Sequence, residues 1–117
     1  MKQMTIATLG MILTVVLSVS FAWAGGKVTG AEARSLVEQG ANLLDVRTDR
    51  EFRKGHIEGA MHIPVQELAE RINEIEDKEK EIVLYCRTGR RSAQAATMLR
   101  EAGFDKVYDL GGMGNWE

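Results

Sequence analysis

Cys86 is the only cysteine in the 117-residue sequence, and its neighbours are of the kind that activate a thiol. Ile82-Val83-Leu84-Tyr85 is a short apolar run of strand type. Cys86-Arg87-Thr88-Gly89-Arg90-Arg91 follows at once, and Ser92 opens a helical pattern that continues to Ala102. A thiol at a strand-to-helix turn meets the backbone N–H groups of the loop and the positive end of the helix. Arg87, Arg90 and Arg91 crowd the same short segment. All of these favour the thiolate, which is the nucleophilic form. Most lone cysteines are inert core residues, but a core cysteine needs neither an arginine-rich flank nor a Gly89 that lets the chain curl tightly behind it.

Consecutive backbone N–H groups that converge on one point form a cradle for negative charge. With the Cys86 sulfur at the centre, the cradle stabilises a thiolate or an anionic group attached to it. Thr88 adds a hydroxyl donor. Arg91 closes the loop where the helix starts and is the first candidate to touch a substrate anion. The three arginines cannot all point inward, so at least one faces solvent or pairs with a carboxylate elsewhere. Three chemistries use such a cysteine: attack on phosphorus, reduction of an oxyanion such as arsenate, and attack on sulfur. Cysteine-dependent phosphatases have the pattern Cys-x5-Arg, and that arginine position is Ser92 here. Arg91 gives the shorter Cys-x4-Arg, a ring that suits one added sulfur atom better than a tetrahedral phosphoryl group. Sulfur chemistry is favoured, with the oxyanion readings as alternatives.

The elements that must position this loop alternate along the chain. Val28 is a short first strand, and Thr29 with Glu32 has the form of a capping box. The helix it opens runs to about Gln39, with Ala33, Leu36 and Val37 at helical spacing, and Gly40 suits the left-handed residue that ends it. Asn42 to Val46 reads as a strand with Asp45 near its carboxyl end. Arg47 to Lys54 reads as a turn or short helix, Ala60 to Ile63 as a strand closed by Pro64, and Gln66 to Ile75 as a helix. After the Ile82–Tyr85 strand and the cysteine loop, a helix turns Ala93, Ala96, Leu99 and Ala102 inward and ends at Gly103. Lys106 to Asp109 is a last strand, followed by a final turn holding Trp116 as a core anchor. This alternation predicts an α/β domain with a mainly parallel sheet. In such sheets ligands gather beyond the carboxyl ends of the strands, so Asp45 and Cys86 are expected at one edge.

The first 24 residues stand apart. Lys2 is the only charge before Lys27, Ile6 to Phe21 is almost wholly apolar, and Ala22-Trp23-Ala24 is the small-x-small pattern cut by signal peptidase. The expectation is a cleaved signal peptide over 1–24 and a single domain over 25–117 in the periplasm, free of the membrane after cleavage. A retained anchor is the alternative, but the run is short for a span and contains Gly10, Thr14, Ser18 and Ser20. One cysteine cannot form an internal disulfide, so the apolar core must hold the domain unaided. With 15 Lys and Arg against 17 Asp and Glu, the net charge of −2 gives no nucleic-acid footprint. Against that background the arginine loop points to a small anion. His56 and His62 lack the companions and spacing of a metal site, and His56 is expected to hold a turn.

Four segments in order carry a family resemblance. They are Leu44-Asp45-Val46-Arg47 with Glu51-Phe52, the run from Gly55-His56-Ile57 to Ile63-Pro64, Cys86 to Ser92, and Leu110-Gly111-Gly112-Met113-Gly114-Asn115-Trp116. Together they resemble the rhodanese family of sulfurtransferases in its single-domain form. With the export signal, the chain resembles small periplasmic thiosulfate sulfurtransferases of the phage-shock type. The resemblance implies a five-stranded mainly parallel sheet with helices on both faces. It also implies a ping-pong mechanism in which the Cys86 thiolate takes the outer sulfur of thiosulfate and passes it from a persulfide to cyanide or a thiol. By the same resemblance Arg87, Thr88, Gly89, Arg90 and Arg91 bind the substrate, with Arg91 and Arg87 on the sulfonate end. No metal or organic cofactor is called for, and a monomer is expected. Asp45 and Arg47 are expected as structural partners near the site. The alternative of another class is a persulfide carrier or redox-sensing module whose acceptor is a protein.

Overall fold

The computed structural model describes residues 25–117, and the expected signal segment 1–24 lies outside the described residues. Five strands, β1 (Gly26–Lys27), β2 (Asn42–Asp45), β3 (Met61–His62), β4 (Ile82–Cys86) and β5 (Val107–Gly112), form one sheet in the order β1-β5-β4-β2-β3. Every pairing is parallel. The central strand β4 is buried along its whole length, which explains its unbroken apolar sequence. Its side chains alternate between faces. Ile82, Leu84 and Cys86 join the cluster beneath α3 (Leu68–Arg71) and α4 (Arg90–Glu101), while Val83 and Tyr85 join the cluster beneath α1 (Gly30–Glu38) and the C-terminal turn. Helices thus cover both faces of an α/β sheet, as expected.

Local signals set most boundaries. Thr29 caps α1 with Glu32 returning the bond, a complete capping box. Gly40 follows the helix at φ +106°, a left-handed turn that glycine adopts without a steric cost. The charged stretch after β2 resolves as α2 (Asp49–Lys54), started by a second capping box between Thr48 and Glu51. Trp116 is half-buried against the α1 face, and the Arg34 guanidinium donates to its carbonyl.

Three expectations are corrected. The first strand is Gly26–Lys27, and Val28, expected to form it, lies just past its end with its N–H on Asp109 O. The helix over Gln66 to Ile75 is instead a 3-10 turn (Val65–Glu67), the single α-turn of α3 and a second 3-10 turn (Ile72–Glu74). Val65 and Leu68, like Ile72 and Ile75, are three apart, the spacing that a 3-10 turn aligns. Bonds from Glu67 N–H to Pro64 O and from Ile75 N–H to Ile72 O close those tighter turns. In α4 the inward stripe is Ser92, Ala95, Ala96 and Leu99, whereas Ala93 faces solvent and Ala102 is half-buried. Ser92 faces inward, bonded to Gly89 O, so that the next residue turns out.

Candidate active site

Cys86 is the last residue of β4, with no exposed surface. The chain leaves the strand, turns through Arg87 and Thr88, and enters α4 at Gly89, whose φ of +108° is the left-handed conformation expected of a tight loop. That turn brings the Gly89 N–H to 2.9 Å from the Cys86 sulfur. Behind it, the Ser92 hydroxyl lies 3.6 Å from the sulfur and donates to Gly89 O at 3.1 Å. Burial by itself pushes the Cys86 thiol up. The Ser92 side chain and the N–H groups of Ser92, Gly89 and Thr88 outweigh it and hold the thiol below the ordinary cysteine value. A thiolate at this position is accepted by a preformed ring of donors at the start of a three-turn helix.

The loop is braced by the C-terminal segment. A β-bulge between the Leu84 and Tyr85 registers adds one residue to β5, so that Gly112 pairs with Cys86. Asp109, buried in that bulge, accepts the Gly111 N–H at 2.8 Å. A side chain at Gly112 would place its Cβ 2.8 Å from Arg87 O, so only glycine allows β5 to lie this close to the loop.

Beside the loop lies an open cleft of about 780 Å³ lined by five cations, Arg47, Arg50, Lys54, Arg87 and Arg91, and one carboxylate, Glu51. Arg47 is buried and fully engaged. It forms a fork on Asp45 at 2.7–3.0 Å and donates to Gly55 O at 2.7 Å. Its guanidinium also stands 5.5 Å over the Tyr85 ring. Asp45 and Arg47 therefore have the structural role expected for them. Arg91, expected free to meet an anion, is instead held by Glu51 through two bonds of 2.6 and 2.9 Å. The Arg91 guanidinium draws the Glu51 carboxyl down to about 2, against the cost of its partial burial, with help from Thr48. Arg87 lines the cleft with an exposed side chain. Thr88 lies on the opposite side of the loop with Gly89 and Gly112, and Arg90 is exposed away from both hollows.

Ser92 and Glu51 are the functional positions that the sequence reading passes over. Ser92 stands where the phosphatase arginine would be. Glu51 is announced by its capping-box spacing from Thr48, although nothing local announces its partner 40 residues away. His56 holds a turn as expected, through Phe52 O at 2.9 Å. Phe52 is sandwiched between the rings of His56 and His62, at 3.7 and 4.3 Å. Among the described residues no group of three His, Cys, Asp or Glu side chains could hold a metal ion, and no helix is long and apolar enough to cross a membrane.

A family model described as Rhodanese-like domain matches residues 29–117. The protein named thiosulfate sulfurtransferase PspE of Escherichia coli (strain K12) is 38% identical over 71 residues, 60% of this chain and 68% of that protein. The putative sulfur carrier protein YrkF of Bacillus subtilis (strain 168) is 41% identical over 80 residues, 68% of this chain but only 43% of that protein. The chain thus spans less than half of that relative. Among solved structures, the human single-domain sulfurtransferase TSTD1 aligns with a TM-score of 0.66 at 30% identity, covering 80% of this chain and 94% of that one.

Proposed function

The chain belongs to the rhodanese-like domain family, and from that premise we propose that it is a thiosulfate sulfurtransferase acting through Cys86. The Cys86 thiolate attacks the outer sulfur of thiosulfate, the S–S bond breaks, and sulfite leaves with the electron pair. The enzyme then holds a persulfide, whose outer sulfur is taken by cyanide or a thiolate as the Cys86 thiolate is restored. The observation that carries this reading is the lowered thiol of Cys86 inside a ring of N–H donors that fits a small sulfur anion. Arg87 is the loop cation free to meet the sulfonate, while Arg91 supports the loop from its bond to Glu51. Thr88, Gly89 and Arg90 complete the substrate loop, of which the first two contribute through their N–H groups. Similarity to a protein named thiosulfate sulfurtransferase supports thiosulfate as the donor, while the apolar run and the Ala22-Trp23-Ala24 pattern of the first 24 residues support an exported enzyme of the phage-shock type. In that reading residues 25–117 are the mature periplasmic protein, and Gly25 is the amino terminus recovered from a periplasmic fraction.

Incubation with thiosulfate followed by intact-mass measurement tests the core of the proposal. One added sulfur atom, lost on addition of cyanide and absent in Cys86→Ser, is expected. An unmodified wild-type protein overturns it. Similarity to a putative sulfur carrier favours one second reading, in which the persulfide forms but the acceptor is a protein. Repeated thiocyanate turnover distinguishes the enzyme from a carrier that loads once and stalls.

A further inference from the structure

The cleft beside the cysteine loop holds more positive charge than the sulfur donor requires. Of its five cations, Arg47 is neutralised by Asp45 and Arg91 by Glu51. Among the described residues, Arg50, Lys54 and Arg87 have no side-chain hydrogen-bond or ion-pair partner. Arg50 and Lys54 are four apart on α2, one turn from each other on the same face, and both line the cleft. Unpaired like charges facing one hollow repel each other and concentrate potential there, an arrangement that attracts anions. The hollow, at about 780 Å³, is of the size that encloses organic ligands and is far larger than an inorganic anion needs. Met113 supplies an apolar wall on which a short carbon chain can rest.

We propose that Arg50 and Lys54 set the specificity of the second half-reaction, and that the acceptor is a small thiol bearing carboxylates. The proposal rests on the sulfurtransferase reading above. The carboxylates lie on Arg50 and Lys54, while the acceptor thiolate attacks the outer sulfur of the Cys86 persulfide. A new S–S bond forms on the acceptor, the bond to Cys86 breaks, and the electron pair returns to the Cys86 thiolate. The product is the acceptor's own persulfide, with no oxidant or reductant consumed.

The test uses protein first loaded with thiosulfate, freed of excess donor, and checked for the added sulfur by intact mass. Sulfur loss from Cys86 is then timed with mercaptosuccinate, a dicarboxylate thiol, and with the neutral mercaptoethanol, in wild type and in the Arg50→Gln, Lys54→Gln double variant. The ratio of variant to wild-type rate for each thiol cancels the thiols' intrinsic reactivities. A fall of roughly tenfold for mercaptosuccinate, with the mercaptoethanol rate within about twofold, is expected for two lost charge contacts. Added salt should slow the wild-type reaction with mercaptosuccinate more steeply than that with mercaptoethanol, whose only charge is the attacking thiolate. Equal changes for both thiols, or none, overturn the proposal. If no persulfide forms before either thiol is added, the sulfurtransferase reading fails and takes this one with it. A persulfide that forms and discriminates nothing refutes the acceptor assignment alone.

Discussion

At the residue scale, the state of Cys86 is decided by one hydroxyl and three N–H groups set against burial. In the thiol form Cys86 donates to Ser92 Oγ, and the Ser92 hydroxyl donates to Gly89 O. When the thiol ionises, the Ser92 hydroxyl can rotate to donate to the sulfur, so the same side chain serves both states. Ser92→Ala removes that donor and should raise the Cys86 thiol toward the ordinary range. Loss of a hydrogen bond to a charged group, about 1.5 kcal/mol, implies roughly tenfold slower sulfur loading at neutral pH. Thiolate ultraviolet absorbance against pH, beside single-turnover loading rates, checks both effects, and an unmoved titration refutes the role given to Ser92. Glu51 provides a second test. Its carboxyl titrates at about 2 in the folded protein against 4.5 for an unperturbed glutamate. Across that window the unfolded chain binds a proton that the folded chain refuses, so stability falls as pH falls and is complete above it. In Glu51→Gln this part of the acid slope should vanish, as read from urea unfolding at a series of pH values. A slope identical to wild type would show that the pair with Arg91 has no weight in solution.

At the scale of elements, the loop is shaped as much by β5 as by its own residues. Gly112→Ala forces a methyl group against Arg87 O, 2.8 Å away in the present geometry, at a position whose φ of −75° suits any residue. The conflict is therefore steric and local. Overpacking of this kind costs about 1–3 kcal/mol, and it would be relieved by moving the cysteine loop. Sulfur loading should fall about tenfold or more while far-ultraviolet circular dichroism stays unchanged, whereas full activity would show that the loop tolerates displacement. The Asp45–Arg47 pair is a different case, because both side chains are buried. Asp45→Ala leaves an unpaired guanidinium under the cleft and should cost about 3–5 kcal/mol, measured as a lowered urea midpoint. Much of this architecture is legible in the sequence where the signal is local. The Thr29–Glu32 capping box, the apolar run of β4 and the alternation of strand and helix depend on neighbours within a turn. The Arg91–Glu51 bond and the bulge that aligns Gly112 with Cys86 depend on segments far apart in the chain. The phase of α4 places Ser92 inward, bonded to Gly89 O and beside the Cys86 sulfur, so that Ala93 turns outward.

At the scale of the molecule, no disulfide supports the described fold, whose single cysteine is free. Stability depends on the two apolar layers on either side of the sheet. Among the described residues no buried side-chain nitrogen or oxygen lacks a hydrogen-bond partner, so the buried polar groups add no uncompensated penalty. Leu99, fully buried between α4 and the sheet, is a direct probe of the larger layer. Leu99→Ala should cost about 2–5 kcal/mol, a large share of the ~5–15 kcal/mol typical of a domain. Denaturant unfolding measures it, and a change within error would mean that the layer refills the space. The strand order has a separate consequence for colloidal behaviour. The sheet ends on both sides in strands of two residues, Gly26–Lys27 and Met61–His62. Each open border therefore offers only a brief row of backbone donors and acceptors, too little to template the addition of a foreign strand, and on one side a lysine stands in the way. The two longest strands, β4 and β5, are enclosed in the interior of the sheet, where another chain can reach them only after the domain has opened.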